Sequence, residues 1–211
     1  MWKKHVLLWL ILLLVSFIAM PLMIKQQTIM ARVMGELEMI QSVFGAEDTS
    51  KLAHSATVWY NALFVDTGLI DSTSKAHVSQ SEKDTGQIFF GGAVRITDVT
   101  NGYLLSFAAQ AYAMMIRLFI ILSWLPYIFP FMLAVVVDGM VARKIKFESF
   151  GFSSPIAYSL ALHAIIVIVF FPTLYLLLPI PVTPLFMPFW ALAIALPVSM
   201  LIGNTQRVSG N

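Results

Sequence analysis

The chain has 211 residues and a mean hydropathy of +0.83, with 59% hydrophobic and 11% charged residues, proportions that exclude an ordinary soluble domain. Thirteen lysines and arginines against eleven acids leave a net charge of +2. The absence of cysteine excludes disulfides, thiolate metal sites, iron–sulfur clusters and cysteine nucleophiles.

A membrane helix needs about 20 apolar residues to cross roughly 30 Å of hydrocarbon. Four runs meet that requirement: His5–Ile24, Leu118–Val137 between Arg117 and Asp138, Ile156–Leu178, and Pro184–Gly203. The first also resembles a signal peptide because Lys3 and Lys4 precede it, but it is too long for an h-region and no small-x-small site precedes Lys25. Pro179, Pro181 and Pro184 separate the last two runs and predict a tight hairpin of helices.

The segment between the first two runs is the only one that reads as soluble. Met30, Val33, Met34, Leu37, Ile40 and Phe44 recur at helical steps. With no strong breaker before Gly35, the first membrane helix is expected to continue into solvent as one rod, stopping near Gly45. A second helix is predicted from about Thr49, capped by Asp48 or Thr49, with Leu52, Ala56, Trp59 and Leu63 on its apolar face and an end near Asp66-Thr67-Gly68. Residues 71–86 read as a polar loop, Ile88-Phe89-Phe90-Gly91-Gly92 as a short strand or turn, and the pattern turns helical again from about Thr100.

Lysine and arginine set the orientation, because short loops rich in them stay cytoplasmic. Lys3 and Lys4, then Arg143, Lys144 and Lys146, then Arg207 fall on one side of a four-crossing chain; residues 25–115 carry six bases against nine acids and fall on the other. The expected fold is therefore all-α: a polytopic membrane protein with four transmembrane helices and a mainly helical periplasmic insert. Its parts are a cytoplasmic N-terminus with the first span (1–24), the insert (25–115), the second span (116–139), a cytoplasmic basic loop (140–155), the third span (156–179), a proline-rich turn with the fourth span (180–203), and a cytoplasmic tail (204–211).

No P-loop, dinucleotide fingerprint, H-E-x-x-H or G-x-S-x-G motif occurs, and His5, His54, His77 and His163 are too scattered for a metal site. The expectation is a protein that is not an enzyme and carries no cofactor. Ionisable groups in membrane spans are the default functional candidates, because burying a charge there costs about 2.5 to 3.5 kcal/mol. Arg117 reads as an interfacial residue that snorkels, Asp138 as one member of a charge pair with Arg143 or Lys144, and His163 as a hydrogen-bonding group between helices, with a solute site or a partner contact as its alternatives. Trp124-Leu125-Pro126-Tyr127-Ile128-Phe129-Pro130-Phe131 predicts a kinked helix that packs against other helices. The loop from Arg143 to Phe152 mixes three bases with three phenylalanines; it reads as lipid-anchored, with a docking site for a cytosolic partner as the sharper alternative. One short basic cluster is no footprint for nucleic acid.

Trp59-Tyr60, Phe64-Val65-Asp66-Thr67-Gly68, Arg117, Trp124-Leu125-Pro126, Pro130, Asp138-Gly139, Arg143-Lys144, Phe150, Ser154-Pro155, His163, Leu178-Pro179-Ile180-Pro181 and Asn204-Thr205-Gln206-Arg207 together resemble a family of four-helix inner-membrane proteins. Its members belong to integrating conjugative elements and large conjugative plasmids and are encoded beside the coupling ATPase of the conjugative type IV secretion system. The resemblance spans about residues 5 to 208 and brings no catalytic residue with it. It implies an inner-membrane component of conjugative DNA transfer that packs against the membrane part of that ATPase, with Arg117, Trp124, Asp138, Arg143, Lys144, Lys146 and His163 as candidate partner contacts. Membrane lipid is the other expected partner, a homo-oligomer stays open, and no direct contact with nucleic acid is expected. A channel or transporter subunit, and an entry-exclusion protein acting through the insert, are the competing classes.

Overall fold

The computed structural model describes residues 2–68, 91–178 and 180–205, with the backbone alone at residues 2–5, 13 and 91–100. Every regular element among these residues is helical: α1 (Trp2–Met23), α2 (Gln26–Phe44), α3 (Ala46–Tyr60), a π-helical turn (Asn61–Val65), α4 (Gly91–Glu148), α5 (Pro155–Val169), α6 (Phe171–Leu177) and α7 (Phe186–Gly203). Among the described residues, four stretches are long and apolar enough to cross a membrane: Val6–Met23, Asn101–Glu148, Pro155–Leu177 and Phe186–Gly203. The expected loop over residues 71–86, Ile88–Phe90 of the expected strand or turn, His77 and Arg207 lie outside the described residues, whereas Gly91 and Gly92, the end of that strand or turn, are helical and open α4 ahead of the expected start near Thr100.

The chain divides into two compact units. One draws on Leu7–Ile120 and Tyr175–Pro184, the other on Met1–Val6, Ile121–Leu174 and Leu185–Asn211, so that α4 contributes to both.

In the first unit, α1 and α2 are separate helices rather than one rod, because the chain breaks at Ile24-Lys25, where Lys25 is extended (φ −69°, ψ 147°). α2 stops at Gly45, whose φ of +84° is open to glycine at little cost, and α3 starts at once. No side chain caps α3; Asp48 lies in its first turn, where an acid is favoured by the helix dipole, and pairs with Lys51 at 3.7 Å. Gly68, at φ +75°, closes the turn that follows. The buried stripe of α2 is Ile29, Val33, Glu36 and Ile40, one step round the helix from the expected face, and Met34 is exposed. Leu52 and Ala56 of α3 are buried as expected, but Trp59 and Leu63 are exposed.

Beside these helices runs the first half of α4. Phe17 of α1 meets Phe107 edge-on at 5.3 Å, and Pro21 to Gln27 face Gly102 to Ser106 across a cleft. The end of the first apolar helix thus abuts a part of α4 that the charge pattern had assigned to the soluble insert. Tyr60 meets Tyr112 at 5.4 Å, and the Thr57 and Tyr112 hydroxyls share a hydrogen bond of 3.3 Å.

In the second unit, α5 and α7 form the predicted antiparallel hairpin: Ile168 meets Trp190, while Ser154 meets Asn204 at the opposite end. The contacts of α4 with α7 rise together in number, from Ile128 against Ala191 through Asp138 against Ser199 to Lys146 against Asn204, so those two helices are parallel. Gly139 permits the close approach, since a Cβ there would lie 2.9 Å from Ile202 Cβ and 3.1 Å from the Ser199 carbonyl. One boundary differs clearly from expectation. No breaker follows Asp138 until Ser149-Phe150-Gly151, so α4 continues to Glu148 and carries Arg143, Lys144 and Lys146 on its final turns instead of in a loop.

Candidate functional site

A heavily bonded, buried polar group lies in the first unit. Arg117 is 2% exposed and Glu36 is 0% exposed. The Arg117 Nε donates to both Glu36 carboxylate oxygens, at 3.1 and 3.0 Å, and Nη2 donates to Oε1. The remaining donors turn to the chain leaving α6: Nη1 to the carbonyls of Tyr175 (3.1 Å), Leu176 (3.3 Å) and Leu178, and Nη2 to that of Ile180 (3.1 Å). The guanidinium also sits 5.6 Å from the centre of the Tyr175 ring.

Proline explains part of this constellation. The Tyr175 and Leu177 carbonyls would ordinarily accept from the amides of residues 179 and 181, but both positions are proline and have no N–H. Arg117 bonds the first of these carbonyls, and the Gln110 side-chain amide bonds the second at 3.3 Å. In the second unit, the Ile168 carbonyl faces the same deficit at Pro172 and accepts from the Trp190 indole at 2.8 Å. Three prolines are thus matched by three side-chain donors, as an apolar environment demands of exposed backbone.

A basic cleft of about 620 Å³ lies at the end of α4 in the second unit, lined by Arg143, Lys144, Lys146, Phe147, Ser153 and Thr205 among others. The Lys146 ammonium donates to Asn204 Oδ1 at 2.8 Å, and the Ser154 amide donates to the same oxygen at 3.3 Å, which ties the end of α4 to the chain before α5 and after α7. Lys144 and Glu148 form an exposed pair at 3.8 Å, of small energetic value. Such a cluster can hold an anion; it contains no nucleophile and base at bonding distance.

An apolar groove of about 250 Å³ runs along the same unit, between Trp124, Tyr127, Ile128 and Phe131 of α4 and Pro188 and Leu192 of α7. Trp124 and Tyr127 meet edge-on at 6.0 Å. Tyr127 and Phe129 are two-thirds exposed, which is unusual aromatic area for a helix with packed neighbours.

The candidate residues therefore do not form one site. Arg117 is a buried structural anchor instead of a snorkelling one. Asp138 accepts from the Ser199 hydroxyl at 2.8 Å, an interhelical bond in place of the expected pair with Arg143 or Lys144. His163 is exposed, and its Nδ1 donates to the Ser159 carbonyl of its own helix at 2.7 Å, so this bond does not join two helices. Arg143, Lys144 and Lys146 share the basic cleft, and Trp124 lines the groove. Sequence reasoning missed Glu36, Gln110 and Trp190, and met Asn204 only as part of the Asn204-Thr205-Gln206-Arg207 resemblance. Glu36 carried a signal, since it interrupts the stripe of Ile29, Val33 and Ile40.

A family model described as DtrJ-like, IncC plasmid conjugative DNA transfer protein DtrJ-like, matches residues 27–208. No curated protein and no solved structure matches the chain.

Proposed function

Because the chain belongs to the DtrJ-like family, whose role is in conjugative DNA transfer, we propose that it is an inner-membrane subunit that packs against the membrane helices of the transfer system's coupling ATPase. The observation that carries this reading is the groove lined by Trp124, Tyr127, Ile128 and Phe131, which sits in the charge-free part of α4 and leaves aromatic area uncovered. Between membrane helices there is no hydrophobic gain over lipid, so association rests on shape, aromatic packing and polar contacts. An aromatic groove offers shape, and the exposed imidazole of His163 offers a polar contact on α5.

In this reading residues 118–137, 155–177 and 186–203 cross the membrane with α1, and both termini are cytoplasmic. The parallel run of α4 and α7 with α5 antiparallel to them supports alternating crossings. Basic residues at the Lys146 end and excess acids in residues 25–115 support the orientation. The chain has no nucleotide-binding motif, so hydrolysis and DNA pumping belong to the partner and this subunit is not an enzyme.

The test is recovery of tagged protein in mild detergent from cells carrying its native element, with mass spectrometry of what accompanies it. A P-loop ATPase in stable ratio is expected, reduced at least tenfold by Trp124→Ala with Tyr127→Ala while insertion is unchanged. Recovery of the protein alone as a homo-oligomer would move the assignment to a channel or exclusion role.

A further inference from the structure

We propose that the basic cleft at the end of α4 binds the head group of an anionic phospholipid. The inference rests on membrane insertion of the chain and is independent of the ATPase. Met140, Arg143, Lys144 and Phe147 follow one another at helical steps, so cations and apolar side chains share one face of α4. Among the described residues neither Arg143 nor Lys146 has a carboxylate partner, and Asn204, a neutral group, holds the Lys146 ammonium in place. The cleft is therefore a positive site in which Glu148 pairs with Lys144 alone and leaves two positioned cations, Arg143 and Lys146, without a carboxylate.

The surroundings select the kind of anion. Phe150 has a φ of +51°, a conformation that L residues rarely adopt, and its side chain is 98% exposed. Phe147 and Phe152 beside it are also largely uncovered, as is Ile156 at the start of α5. The cluster stands where two apolar helices end, so phosphates and the upper acyl chains share its level. A phosphodiester fits the bases and the acyl boundary fits the aromatics, whereas an acidic peptide would leave the phenylalanines in water.

Native mass spectrometry of the intact chain in detergent tests this with added phosphatidylglycerol against phosphatidylcholine. One retained phosphatidylglycerol is expected, and no retained phosphatidylcholine. Arg143→Gln with Lys146→Gln should weaken retention roughly 30-fold, at about a fivefold loss per base, while Arg143→Lys with Lys146→Arg should retain it within a few-fold. Arg143→Gln alone, which removes an exposed side chain that has no ion-pair partner among the described residues, should lose about fivefold and serves if the double variant does not fold. Equal retention of both lipids, or an unchanged double variant, would overturn the proposal. So would full displacement by glycerol phosphate at equal concentration, which would mark a free-anion site, or by hexaglutamate, which would mark a peptide site. Loss of the lipid with an intact ATPase pull-down would leave the partner assignment standing.

Discussion

Arg117 and Glu36, separated by 81 positions, form an ion pair from which water is excluded, and the same guanidinium bonds four carbonyls of the chain leaving α6. One side chain thereby fastens α2, α4 and the start of the interhelical turn. Breaking a buried pair by removing one partner costs about 3 to 5 kcal/mol. Arg117→Ala should reach or exceed that range, because it orphans a carboxylate and several carbonyls. Glu36→Ala should cost less, since Arg117 keeps its carbonyls. Arg117→Lys should behave much like the alanine variant, as one ammonium cannot span both sets of acceptors. Melting of the purified chain in detergent provides the measurement; single losses that add in the double variant would show that the two groups are not coupled.

The match of prolines to donors gives a sharper test at α5. Trp190→Phe keeps most of the ring and removes the N–H that meets the Ile168 carbonyl, so it should destabilise by about 1 to 3 kcal/mol. Pro172→Ala restores a backbone N–H four residues after Ile168. The combination of Trp190→Phe with Pro172→Ala should therefore recover most of the loss. If the pair of changes is no better than Trp190→Phe alone, the indole is not standing in for the missing amide.

Gly139 and Gly203 should respond differently to the same change. A methyl on Gly139 would meet Ile202 Cβ at 2.9 Å, whereas one on Gly203 would have Ala142 Cβ as its nearest neighbour at 3.6 Å, an ordinary contact. Gly139→Ala is expected to cost about 1 to 3 kcal/mol by forcing α4 and α7 apart. Gly203→Ala should fall well below that. Equal melting temperatures for the two variants would mean that the helices are not held this closely.

Much of this architecture was legible because spans are written in long charge-free runs and helix ends in residues such as Gly45 and Gly68. The break at Ile24-Lys25 was not, since neither residue forbids a helix and tertiary packing decides there. Arg117 illustrates the deeper limit. Its position at the edge of an apolar run suggested snorkelling, and only the fold brings Glu36 and the carbonyls of Tyr175, Leu176, Leu178 and Ile180 to it. The bases at Arg143, Lys144 and Lys146 read as a loop from charge alone, although the sequence holds no breaker until Ser149. Asp138 found Ser199 for a similar reason: a partner on another helix outcompetes the local one, and sequence distance does not reveal it.

The absence of cysteine makes the membrane placement directly measurable, because each single cysteine is the only label site. Ser42→Cys and Lys51→Cys, both exposed, should react with a membrane-impermeant maleimide added outside intact spheroplasts. Ser149→Cys should react only after the membrane is opened, and Leu196→Cys, exposed on α7, should be shielded by lipid in both conditions. Leu105→Cys is the decisive position. It is exposed in the first half of α4 and lies close to the end of α1. The proposed topology expects it to react from outside. Protection of Leu105→Cys with full labelling of Ser42→Cys would mean that lipid reaches beyond Arg117. Phe17 against Phe107 would then be a contact inside the membrane, and the second crossing would begin near Asn101.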